Sequence, residues 1–187
     1  MLAAGLIWIG LANSTPVSDQ NMIYTSAQRF NNGNFERLTY GKYLYYYPFQ
    51  LGLTAWESVI LRIFGEENCQ ALQVFNVLGI MLCVYAGYRI TRMLSEKKQA
   101  AAAYLLFMAG CFPLIVYSVY VYSDVLSLAL CMTAVWQFLR YVRGGKRSGA
   151  VLMVCCLAAA VLLRNNSLIV MIAVLCVLLV QAVTRKR

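Results

Sequence analysis

The feature that most limits what this chain can become is a succession of long apolar runs bounded by charge. They lie at 69–91, 100–119, 122–141, 148–163 and 167–184, with a shorter run at 1–12. Crossing a bilayer takes about 20 mostly apolar residues in a helix. The five longer runs therefore read as spans, and 148–163, though brief, has Arg147 and Arg164 at its ends to snorkel toward the two interfaces. At about 1.5 Å per residue, the run at 1–12 covers about two thirds of a hydrocarbon core and reads as the back half of a truncated first helix. Composition agrees: 61% of residues are hydrophobic and 12% charged, against about a quarter charged in soluble domains. The expected fold is an all-α polytopic membrane protein, a single transmembrane domain of about six helices.

The basic residues orient it, because loops rich in Lys and Arg stay on the cytoplasmic side. Arg89, Arg92, Lys97 and Lys98 follow the second span, Arg140, Arg143, Lys146 and Arg147 the fourth, and Arg185, Lys186 and Arg187 the sixth. These are eleven of sixteen basic residues, all in alternate connections, so both termini are expected to be cytoplasmic in a multi-pass protein of the plasma membrane. The net charge of +9 is then a consequence of topology, and nucleic-acid binding has no separate support. The first apolar run begins at Met1 with no basic segment ahead of it, which is not a signal-peptide pattern.

Histidine is absent, which removes imidazole acid–base chemistry, Ser-His-Asp and Cys-His nucleophiles and every zinc motif that needs an imidazole. Proton transfer falls to carboxylates. The seven cysteines, nearly all inside apolar runs and without CxxC spacing, read as small packing residues.

Six of the seven acids fall on the external side: Asp19, Glu36, Glu57, Glu66 and Glu67 after the first span, and Asp124 between the third and fourth. The loop at 13–68 is too long for a mere connector. Within it Met22, Ile23, Ala27 and Phe30 recur at helical spacing with Asp19 in an N-cap position. A second amphipathic stretch, Phe49 to Phe64, carries Leu51, Leu53, Trp56, Val59, Ile60 and Ile63. Both are expected to be helices along the outer interface, with Trp56 at the headgroups and Glu57, Glu66 and Glu67 facing water. Between them a turn at 31–34 leads to the aromatic run Tyr43, Tyr45, Tyr46 and Tyr47, ending in Pro48. Those tyrosines suit either an interface belt or a platform for sugar faces.

Asp124 lies at the apolar boundary of the fourth span. A carboxylate there calls for a wet cavity, a cation or a partner, or else caps the fourth helix; both readings stand open. Arg164, against the positive-inside trend at the outer end of the fifth span, invites a lipid phosphate or an external acid, or is an interfacial anchor.

Four segments, PVSDQNMIYTSAQRFNNGNF, KYLYYYPFQLGLTAWESVILRIFG, YSVYVYSDVLSLAL and LLRNNSLIV, in this order and spacing, resemble the C-type, polyprenyl-phosphate-sugar-dependent glycosyltransferases. More narrowly the chain is similar to the bacterial relatives of the protein O-mannosyltransferases, family 39. Such enzymes have about twice this many spans, so the likeness is to an amino-terminal half. The resemblance implies a membrane glycosyltransferase that moves a sugar from a polyprenyl-phosphate carrier to an acceptor on the external face. It implies that Asp19 is the base or a metal-site acid, that Asp124 is its companion from the second external loop, and that Arg164 holds the carrier phosphate. Tyr43, Tyr47 and Gln50 fall in the covered stretch as candidate substrate-binding residues. A divalent cation, magnesium or manganese, on Asp19 and Asp124 is an alternative to Arg164 for offsetting the phosphate charge. The eukaryotic mannosyltransferases carry Glu after the first-loop Asp, whereas Gln20 follows Asp19 here. Two other readings are a non-catalytic membrane fragment or subunit and a small transporter-like bundle. The latter calls for charged or broken segments at mid-membrane depth, which the cytoplasmic halves of the spans lack.

Overall fold

A computed structural model describes residues 1–145 and 147–184; Lys146, Arg185, Lys186 and Arg187, part of the basic pattern above, lie outside the described residues. The described residues form ten α-helices joined by short 3-10 turns, with no strand among them. They run α1 (Leu2–Ala12), α2 (Ser18–Asn31), α3 (Tyr43–Tyr46), α4 (Leu51–Phe64), α5 (Cys69–Leu94), α6 (Lys98–Ala109), α7 (Phe112–Val116), α8 (Asp124–Gly144), α9 (Arg147–Leu163) and α10 (Leu168–Thr184). This is an all-α membrane protein.

Among the described residues, three helical segments are long and apolar enough to cross a bilayer: Cys69–Leu94, Asp124–Gly144 and Asn165–Thr184. The segment expected as one span at 100–119 is bent by 51° between α6 and Phe112–Val119. The reason is local. Pro113 stands in the first turn of α7, has no N–H to give, and would drive its ring into the carbonyl four residues back were the helix to run on. The chain therefore breaks at Gly110 and Cys111 and restarts with Pro113 where its missing donor costs nothing. Counting the bent pair as one span makes four, and α1 and α9 are shorter apolar helices of 11 and 17 residues.

Packing follows the apolar stripes. Ile80 and Val84 of α5 meet Met108 of α6 and Val125 of α8, while Ala134 and Phe138 of α8 meet Met153, Cys156 and Leu157 of α9. On α10 the buried residue is Val174, and Ile169, Ile172, Leu179 and Val183 are exposed, the surface expected of a helix turned to lipid. All seven cysteines are free thiols, and Cys83, Cys131 and Cys156 are buried among apolar neighbours.

Outside the spans, α2 lies on α4. Tyr24 and Ala27 pack on Ile60 and Leu61, with Leu72 of α5 beneath. Ser58 donates to Asn31 Oδ1 at 2.6 Å and Asn31 Nδ2 returns a bond to the Ser58 carbonyl at 3.1 Å. Val59 and Ile63, on the other face of α4, stay exposed, as an interfacial helix requires. Two buried amides of α5, one turn apart, hold the chain that leaves α1 and the chain that approaches α8. Gln73 Nε2 donates to the carbonyls of Ser14 (3.0 Å) and Val119 (3.2 Å), and Asn76 Nδ2 to those of Ser118 (3.1 Å) and Tyr120 (2.7 Å).

Helix α4 also approaches α9 closely at Gly52, where a Cβ would be driven into the Leu162 backbone carbonyl. Backbone cannot swing aside as a side-chain tip can. Gly52→Ala is therefore expected to cost about 1–3 kcal/mol, the range of overpacking, read as a lowered unfolding temperature in detergent. Gly10→Ala, with open space around it, is expected to leave that temperature unchanged or slightly raised.

Candidate functional site

The two acids singled out in the sequence meet. Asp19 in the first turn of α2 and Asp124 in the first turn of α8 line one open cleft of about 370 Å³, with Gln20, Tyr117, Tyr120 and Tyr122. Neither is the cap it was also read as. The N-cap positions are Val17 and Ser123, and no side-chain capping bond forms at either helix. Their place in the first turn is still favourable, because the exposed N–H groups there present positive charge to a carboxylate. Ser18, just before Asp19, has a left-handed backbone with φ of 53°, a conformation a non-glycine residue rarely takes.

Arg164, in the break between α9 and α10, answers the question of its partner. Its guanidinium holds Asp124 through two bonds of 3.0 Å, one to each carboxylate oxygen. It lies 5.2 Å from the centre of the Tyr122 ring. This planar, two-pronged fit is the stronger kind of ion pair, although both side chains stay about a third exposed and solvent screening weakens it.

Gln50 is buried and donates from Nε2 to the Tyr122 hydroxyl at 2.5 Å. It shares with Tyr122, Ser123 and Arg164 a second cavity of about 110 Å³. Tyr122 is thus the wall between this cavity and the acidic cleft, a role that nothing in the tyrosine-rich string YSVYVYSD marked out. Tyr43 lies against the same region. Burial first, and then the adjacent Asp19 carboxylate, hold its phenol well above the ordinary range. Tyr47 stands further out, its ring 5.0 Å from Tyr43 and 5.9 Å from Phe49, while Tyr45 and Tyr46 are exposed.

The oxygen ligands of Asp19, Asp124 and the neighbouring hydroxyls are of the kind magnesium or manganese takes. Both Asp124 oxygens are already engaged by Arg164, however, and no cluster of three or more acid or thiol ligands occurs among the described residues. The positive charge already held at this site is the Arg164 guanidinium.

Glu57 corrects the sequence reading, which had it facing water. It is 1% exposed and neither carboxyl oxygen has a hydrogen-bond partner. Burial pushes its carboxyl well above the ordinary glutamate value of 4.5. The signal was present in the spacing: Leu53, Glu57, Ile60 and Leu61 are the buried stripe of α4, whereas Val59 and Ile63, counted with the apolar face, point outward. Apolar residues on both faces of an interfacial helix hid which stripe faces protein.

Two outcomes are expected. Cutting the ion pair by Asp124→Asn or Arg164→Gln should each cost stability, and the double variant should cost less than the sum by about 1 kcal/mol, measured by unfolding in detergent. Glu57 has a folded-state pKa raised above its unfolded value, so folding favours the proton-bound form. That contribution is full below pH 4.5 and is lost as pH rises toward the raised value. The wild-type unfolding temperature should therefore fall, relative to Glu57→Gln, as pH is raised from there.

No curated protein and no solved structure matches the chain. A family model does: that of the dolichyl-phosphate-mannose-protein mannosyltransferases aligns with residues 53–187, which includes Glu57, Tyr122, Asp124 and Arg164 but begins after Asp19, Tyr43, Tyr47 and Gln50. With most of its length matched, and with long apolar helices carrying an acidic cleft at their ends, the chain belongs to this family of membrane glycosyltransferases of the mannosyltransferase kind.

Proposed function

We propose that the protein transfers a sugar of the mannose kind from a polyprenyl-phosphate carrier to an acceptor hydroxyl at the external face of the plasma membrane. The observation that carries this reading is the shared cleft: one free carboxylate, Asp19, faces one neutralised carboxylate, Asp124, with the guanidinium that neutralises it at the rim. In the step proposed, Asp19 takes the proton of the acceptor hydroxyl, and the oxygen attacks the anomeric carbon. The bond from that carbon to the carrier phosphate breaks, and the phosphate leaves with the electron pair. A single displacement of this kind inverts the anomeric centre. Arg164 is the group that balances the charge growing on the phosphate, which is where fixed charge contributes most to rate. Asp124 orients Arg164, and Tyr43 and Tyr47 offer ring faces to the sugar.

A place for the carrier's tail supports the reading. An apolar groove of about 530 Å³, with Trp56, Phe75, Leu78, Leu126 and Leu130 in its walls, adjoins the Arg164 cavity at Leu163. A lipid whose phosphate sits at Arg164 can lay its isoprenoid chain there without leaving the bilayer. The orientation with both termini cytoplasmic puts this site outside.

Membranes containing the protein, given radiolabelled polyprenyl-phosphate mannose and scored for transfer, test it. Asp19→Asn is expected to lower transfer by about a hundredfold, in the range for loss of a general base. Wild-type rates in that variant would remove Asp19 from the chemistry, and absence of any transfer by the wild type from polyprenyl-phosphate sugars would overturn the reading.

A further inference from the structure

Glu57 has a geometry that the proposed transfer does not use. It faces a void of about 10 Å³ whose walls include Asn76 and Tyr122, the space one water takes. The hydrogen-bonding groups around that void can be counted. Asn76 uses its amide nitrogen on the carbonyls of Ser118 and Tyr120, so the group it has left is Oδ1, an acceptor. Tyr122 receives a bond from Gln50, so its phenolic proton is left to be given. An ionised Glu57 would bring only further acceptors, and none of the ion pairs among the described residues involves it. Its titratable neighbours are Tyr24 of α2 and Cys69 of α5, neither of which offers positive charge. With Glu57 as the neutral acid the count balances: one O–H for Asn76 Oδ1, one carbonyl oxygen for the Tyr122 proton.

We propose that Glu57 is a positioning residue, held as the neutral acid, that fixes Tyr122 from within by accepting a hydrogen bond from the phenol through one water in the shared void, while directing its own O–H toward Asn76 Oδ1. Gln50 holds the same hydroxyl from the other side. Tyr122 then cannot turn, and its ring stays as the platform 5.2 Å from the Arg164 guanidinium and as the wall of the cleft that Asp19 and Asp124 share. Glu57 thus reaches the site through Tyr122 and touches no reacting atom. Its consequence for rate rests on the transferase reading; its hydrogen bonding does not.

Infrared spectroscopy of the full chain in detergent, at a pH where free glutamates are ionised, separates the two. A carboxylic-acid carbonyl stretch present in the wild type and lost in Glu57→Gln is expected, and it should shift in Tyr122→Phe. Absence of that band, or a band that Tyr122→Phe leaves unmoved, would overturn the assignment whether or not the protein transfers sugar. In the transfer assay Glu57→Gln, which keeps one donor and one acceptor, should stay within about twofold of wild type, whereas Glu57→Leu should lose about tenfold or more, the cost of removing a group that orients a site residue. A full loss in Glu57→Gln would instead make Glu57 an acid–base catalyst and refute the positioning role. An inactive wild type that still shows the shifting band would unseat the transferase reading and leave Glu57 where it is placed here.

Discussion

Two side-chain amides on one turn of α5 are what the architecture around the cleft depends on. Backbone that leaves a helix near the hydrocarbon boundary carries carbonyls that neither lipid nor a ladder can satisfy, and each must find a donor. Gln73 and Asn76 supply them, to Ser14 on the strand of chain leaving α1 and to Ser118, Val119 and Tyr120 on the approach to α8. These are the segments that deliver Asp19 and Asp124. A helix face that reads as merely less apolar than its neighbours is therefore the support on which two distant acids are brought to one cleft.

Within that cleft the charges are unequal by construction. Asp124 is matched by Arg164 oxygen for nitrogen, whereas among the described residues Asp19 has no ion-pair partner and lies against the Tyr43 phenol. Tyr122 joins the two halves. It takes a bond from Gln50, lies against Arg164, and borders the void of Glu57, so the amphipathic helix α4, the segment leading into α8 and the α9–α10 break are coupled through one aromatic ring.

Much of this was legible beforehand, and the misses have physical reasons. The long apolar helices, the amphipathic helices at Ser18–Asn31 and Leu51–Phe64 and the candidacy of Asp19, Asp124 and Arg164 came from apolar period and from charge out of its usual place. The bend after α6 was not anticipated, although Gly110 and Pro113 stand at it, because hydropathy averages over a run and is blind to a missing N–H. Glu57 was put on the wet side because α4 is apolar on two faces, one against lipid and one against protein, and period alone does not say which is which. Tyr122 was lost among three tyrosines within six residues, Tyr117, Tyr120 and Tyr122, whose spacing distinguishes none of them.

What the amino-acid order determined by itself is that this chain lives in a bilayer and that imidazole chemistry is closed to it, since these follow from transfer free energies and from which side chains exist. Only the folded molecule decided that Arg164 closes on Asp124, that Asp19 shares their cleft, and that Glu57 is sealed behind Tyr122. Partners 40 and 65 residues apart in the chain are chosen by how helices cross and loops are tethered, and that choice depends on packing summed over the bundle, which no local stretch of residues contains.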